Sequence, residues 1–271
     1  MRPEIADESN EEGATAKRAG LEVFAAIDRA DICAVRRLAP AANLSMRDER
    51  GQTALMRAAF LGRADCVGIL GPLSDLAAQG PMSDAALAIA ARVGQDECVK
   101  ALLRLGADPK AKNKSGQTAL MRATNLACAR LLMPHSDLAT RDEMGNTHLM
   151  AAAMGRSLGV VRLLLPQSDA LAKNNKGWTA LMWAVFNSRG ADMVRLLAPS
   201  SDMEAKNDQG ETAQAIAEKR GATAEAGFLL AMMERASICG AIERPVANAA
   251  ETAFSQNEES QSAGCSKARR I

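Results

Sequence analysis

Asp48-Glu-Arg-Gly51-Gln-Thr53-Ala-Leu55-Met56 is the stretch that decides the fold, because its pattern keeps coming back. It returns as Asn113-Lys-Ser-Gly116-Gln-Thr118-Ala-Leu120-Met121, as Asp142-Glu-Met-Gly145-Asn-Thr147-His-Leu149-Met150 and as Asn174-Asn-Lys-Gly177-Trp-Thr179-Ala-Leu181-Met182. A further copy, Asn207-Asp-Gln-Gly210-Glu-Thr212-Ala-Gln214, is degraded at its apolar end, and Gly80-Pro-Met-Ser83-Asp-Ala85-Ala-Leu87 is eroded throughout. The glycine-equivalent positions 51, 83, 116, 145, 177 and 210 lie 32, 33, 29, 32 and 33 residues apart. A fixed period of this size marks an array of small units that stabilise one another by stacking.

Each position in the pattern has a physical task. Asp or Asn followed three residues later by Gly makes a tight turn, with the Asx side chain bonding nearby backbone and Gly free to take positive φ. The Thr two residues on is placed to cap a helix. A short helix with small residues follows, then a turn, then a second apolar stretch such as Cys66–Leu70, Cys98–Leu103, Val160–Leu165 or Met193–Leu197. Pro40, Pro72, Pro134, Pro166 and Pro199 come after these stretches and are expected to stop them. Pro-x-Ser-Asp then recurs at Asp75, Asp137, Asp169 and Asp202. Each unit therefore reads as helix, turn, helix, loop and finger.

This pattern resembles the ankyrin repeat family, whose units of about 33 residues open their first helix with Thr-Pro-Leu-His. The resemblance runs from about residue 17 to 236 and implies an all-α solenoid of stacked helix-turn-helix units with hairpin-like fingers, about seven repeats in all. The family's Pro is Ala54, Ala119, His148, Ala180 and Ala213 here, and its His is Met56, Met121, Met150 and Met182. Apolar packing is expected in place of the hydrogen bonds that the family's His makes between units. Gly106-Ala107-Asp108 keeps the family's loop. The expected organisation is a disordered acidic segment at 1–15, the array at 16–236 with capping first and last units, and a disordered polar tail at 237–271. Polar Gln214, Glu218, Lys219 and Arg220 suit the outer face of the last cap. The fourth unit is short by three to four residues, which predicts a clipped turn between its helices and a local change in stacking.

Composition narrows the function. The 271 residues carry 33 basic and 32 acidic side chains, so no global field draws in nucleic acid or anionic membrane. No apolar run approaches the ~20 residues of a membrane span. A start of MRPEIADESNEE lacks the basic-then-apolar form of a signal peptide, and a cytoplasmic protein is expected. Cys33, Cys66, Cys98 and Cys128 follow the repeat, 33, 32 and 30 residues apart, without the Cys-x-x-Cys spacing of zinc sites. They read as buried, reduced thiols, while Cys239 and Cys265 fall in the polar tail.

No catalytic constellation, phosphate loop or metal motif emerges, so neither enzymatic activity nor a cofactor is expected. His135 and His148 occupy ordinary repeat positions, and the recurring aspartates are spread one per unit as caps and turns. Basic residues on the fingers, Arg47, Arg50, Lys110, Lys112, Lys114, Lys173 and Lys176, are interrupted by Asp48, Glu49, Asp142 and Glu143. Binding of nucleic acid is not expected. What remains is the face made by fingers and first helices, which the resemblance implies is the concave partner-binding surface. Its variable positions include Arg57, Phe60, Arg122, Asn146 and Met154. In the sixth unit they hold Trp178, Trp183 and Phe186, three of only seven aromatic residues (two Trp, five Phe, no Tyr). Trp178 and Trp183 are expected to be exposed beside Arg, the composition of an interface hot spot. The expectation is a monomeric scaffold docking a protein there, or alternatively a regulator that masks another protein's active site, with the tails regulatory.

Overall fold

The computed structural model describes residues 8–155, 157–187 and 191–235. Helices α1 (Glu8–Asp28) and α2 (Ile32–Leu38) form the first unit, α3 (Ala54–Phe60) and α4 (Ala64–Leu70) the second. The third pairs α5 (Ala86–Val93) with α6 (Asp96–Arg104), and the fourth pairs α7 (Ala119–Arg122) with α8 (Leu126–Leu132). Next come α9 (His148–Met154) with α10 (Leu158–Leu164), then α11 (Ala180–Asn187) with α12 (Asp192–Leu197). α13 (Ala213–Lys219) and α14 (residues 223–235) complete the last pair. No strand occurs among the described residues. First helices stack on first helices and second on second, as an all-α solenoid requires.

The helices start where Thr provides an acceptor. Thr53, Thr118, Thr147, Thr179 and Thr212 each take the amide three residues on, at 3.4, 3.4, 3.3, 3.3 and 3.2 Å. Ala85, in the eroded copy, has no such bond. The Pro positions work differently from the expected stop. Each of the five second helices followed by one of these prolines passes into a single 3₁₀ turn carrying the Pro at the start, as in Ala39–Ala41, Met133–His135 and Ala198–Ser200, whereas α6 ends without one. Proline lacks only a donor that the first turn of a helix leaves unused, so it begins the tight turn as it ends the α-helix.

The fingers close by one repeated device. Asp142 Oδ1 accepts from the amides of Met144 and Asn146 at 3.0 and 2.8 Å, and Asn174 Oδ1 accepts from Lys176 and Trp178 at 2.9 Å each. Gly145 and Gly177 sit at φ +77° and +73°, where a side chain would be strained. Neighbouring fingers are joined by backbone bonds from Glu143 to Ser115, Asn175 to Met144 and Asp208 to Lys176. Long basic side chains staple the same edge. Lys112 donates to the Arg141 carbonyl, Arg141 to that of Lys173, and Lys173 to that of Lys206. Lys112 and Lys173 thus act along the array.

The core is aliphatic throughout. Leu55, Leu120, Leu149 and Leu181 from first helices and Leu70, Leu102, Leu132 and Leu164 from second helices are all fully buried. Each contributes about 1.5–3 kcal/mol by leaving water. Cys66, Cys98 and Cys128 are buried beside them, but Cys33 is exposed because α2 ends the stack. Burial of the four as one set therefore does not hold.

Two further expectations change. Helix α1 begins at Glu8, so residues 8–15 of the expected disordered segment lie within it. Residues 1–7 and 236–271, including Cys239 and Cys265, lie outside the described residues. In the fourth unit the missing residues come from the first helix and not from the turn alone. α7 is one turn long and ends at Ala123 in an extended conformation (ψ 122°). Asn125 then caps α8, accepting from the Cys128 amide at 2.8 Å, and its own amide reaches the Gly94 carbonyl of the previous unit at 2.9 Å.

Candidate functional site

The finger and first helix of the sixth unit bring the three aromatic residues together. Asn174 fixes the backbone of Trp178 from both sides, taking its amide and giving its own amide to the Trp178 carbonyl at 3.0 Å. Trp183 and Phe186 lie three apart on α11 and so share a helix face. The Trp178 and Trp183 rings stand 4.6 Å apart with a 37° tilt, and Phe186 sets its edge against them at 5.4 and 6.0 Å. Such contacts add about 0.5–1.5 kcal/mol each beyond burial. Arg220, at the end of α13, lays its guanidinium over Phe186 at 4.1 Å. A residue expected on the polar outer face of the cap is thereby turned onto the cluster.

The exposure of the tryptophans differs from the expectation. Both are half-buried against the core, and Phe186, at 36% accessible, is the most open ring. Mutual stacking explains this, since each indole covers the other. The Trp183 Nε1 proton donor is sealed from solvent without an acceptor among the described residues. Rings this close leave no space for a cation between them, so the cluster is a platform and not a cage.

The other candidate residues divide. Phe60 and Met154 are half-buried on their first helices. Arg57 is held between Asp28 at 2.9 Å and Asp48 at 3.7 Å. Arg122 donates to the buried Asp84 at 3.1 Å and to Gln117 at 3.3 Å. Asn146 is 1% accessible; it donates to Asp142 at 3.0 Å and accepts from Asn174 at 2.8 Å. Its place on a partner-facing surface is therefore a correction: this amide joins two fingers inside the array. Asp84, equivalent in register, accepts from Asn113 at 2.8 Å in the same way. Sequence pattern misses Asp84, Arg92 and Arg220; at the position of Asp84 the other units carry Gln, Asn, Trp or Glu.

The family described as ankyrin repeats matches residues 87–174 and 125–207. The chain is an array of ankyrin repeats. Among solved structures it is similar to the ankyrin repeat domain of Bcl-3, described as a unique member of the IkappaB protein family. That likeness has 26% identity and a TM-score of 0.58, and it covers 72% of this chain and 92% of the other. No curated protein matches the sequence.

As an ankyrin array the chain shows one departure beyond its missing Thr-Pro-Leu-His histidines. Apolar packing was the expected substitute, yet His148, in the family's Pro position, sets its Nε2 3.1 Å from Thr118 Oγ1 in the preceding unit. Burial lowers its pKa to about 4. Among the described residues no group of three or more His, Cys, Asp or Glu side chains is placed to hold a metal ion. No helix there is long and apolar enough to cross a membrane.

Proposed function

We propose that this ankyrin array is a non-catalytic interaction module whose partner protein docks on the concave face of first helices and fingers, centred on Trp178, Trp183 and Phe186. The observation that carries the reading is the platform itself: three rings in mutual contact, capped by an arginine, in a chain otherwise almost without aromatics. Aromatic side chains and Arg are the residues whose truncation costs an interface most, about 2 kcal/mol or more at hot spots. Met144, 41% accessible on the adjoining finger, extends the apolar surface.

Affinity purification with wild-type protein and with Phe186→Ala tests this, because Phe186 is open enough to be removed without emptying the core. Loss of a specific partner from the variant, at unchanged circular dichroism, supports the reading; identical capture by both overturns it. The regulatory alternative, masking of a partner's active site, takes support from the likeness to the Bcl-3 domain. It predicts that the recovered partner loses activity when the array is added.

A further inference from the structure

The first-helix stripe carries a charge pattern that its buried carboxylates only partly cancel. Counted four and seven residues after each capping position in units two to seven, the stripe holds Arg57, Arg92, Arg122 and Lys219 and no Asp or Glu. Arg57 lies between Asp28 and Asp48, and Lys219 reaches Glu211 at 2.8 Å. Arg92 and Arg122 instead share one carboxylate, Asp84, at 3.6 and 3.1 Å. Two guanidiniums on one carboxylate leave an excess positive charge between units three and four. Arg220, over Phe186, pairs with no carboxylate among the described residues. The uncompensated charge on this stripe is positive, so a complementary ligand supplies anionic acceptors.

Resting on the platform reading above, we infer that the partner presents an acidic extended segment: carboxylates at Arg92 and Arg122, and a large apolar side chain on the Phe186 platform beside Arg220. From α7 to α11 the array advances two helix spacings of about 8–10 Å each. Extended chain covers about 3.3 Å per residue, so the acidic group and the apolar anchor stand about five to six residues apart. A protein segment fits better than nucleic acid, since the buried Asp84 sits under the arginines and Asp28 and Asp48 would repel a phosphate backbone running on past Arg57.

The probes are two synthetic peptides carrying a Glu-Asp-Glu run and a Phe-Leu pair in either order, separated by about six Gly and Ser residues. Binding to the full chain is followed by fluorescence anisotropy. One order is expected to bind, to weaken with salt, and to lose about tenfold in affinity in Arg92→Gln and in Phe186→Ala. Arg57→Gln should change little, because two carboxylates already hold that residue. Arg92→Gln spares the shorter Arg122–Asp84 bond, so the fold is kept, and circular dichroism verifies it. Equal binding of peptides with Lys in place of the acids overturns the inference, as does stronger binding of a single-stranded oligonucleotide or no binding of either order. If the peptides fail while the Phe186-dependent partner is still captured, only the acidic chemistry falls; if capture itself ignores Phe186, the platform reading falls first.

Discussion

His148 Nε2 lies 3.1 Å from Thr118 Oγ1 across the boundary between the fourth and fifth units. Thr118 already accepts the Met121 amide at 3.4 Å as a helix cap, so its own hydroxyl proton is available to an unprotonated imidazole nitrogen. The pair suits a neutral ring. With His148 1% accessible, a charged ring would be stranded in the core.

A pH dependence follows from that pair. The folded-state pKa of about 4 lies below the ordinary 6.5, so the unfolded chain binds the proton more tightly. This contribution is complete above about pH 6.5 and is withdrawn as pH falls toward 4, amounting to roughly 3 kcal/mol over the whole window. Urea denaturation of wild type and His148→Gln at neutral and acid pH measures it. The stability difference between the two proteins should shrink on acidification; a constant difference contradicts the assignment.

The finger of the third unit makes the same two closing bonds as its neighbours, Gly80 amide to Asp84 carbonyl at 3.0 Å and Ser83 amide to Gly80 carbonyl at 2.9 Å. It does so with Met82 and Ser83 both left-handed, at φ +61° and +59°. A left-handed non-glycine residue costs about 1–2 kcal/mol. Ser83→Gly removes that strain at some cost in unfolded-state entropy, and a net gain of up to about 1 kcal/mol in unfolding free energy, read as a higher denaturant midpoint, is expected.

Asn174 links stability to the platform. Its side chain holds the Lys176 and Trp178 amides and reaches Asn146, so Asn174→Ala strands several polar groups at once. A loss of about 2–3 kcal/mol is expected, with a red shift of tryptophan emission as Trp178 loosens. Asn125→Ala, also a cap but remote from the rings, should destabilise without that shift.

Thiol chemistry reads the stacking directly. Burial pushes the Cys98 and Cys128 thiols up to about 11, and Cys66 is raised by the same cause. Alkylation of the native protein near neutral pH, localised by mass spectrometry, should label Cys33 and spare Cys66, Cys98 and Cys128 until denaturant is added.

The fold was legible because the repeat states each residue's place within a unit: Asx turn, positive-φ glycine, capping Thr and buried Leu all follow from one alignment. What a residue meets in the next unit is not written in that alignment. Asn146 reads as a variable finger position, yet Asn174 of the following unit buries it. Arg122 reads as a variable first-helix position, yet Asp84, 38 residues earlier, claims it. The short fourth unit showed how many residues were missing but not that α7 would lose them. The aromatic cluster was legible as a departure from the repeat, whereas its half-burial and the arrival of Arg220 depend on three-dimensional contact between units.

The chain has two tryptophans, and both are in the platform, so intrinsic tryptophan emission reports on the proposed docking site alone. Titrating the intact chain with the partner recovered by affinity purification therefore tests the central claim. The account predicts a saturable change in tryptophan emission that tracks complex formation and is lost in Phe186→Ala. Complex formation, verified by mass, with tryptophan emission unchanged would contradict it.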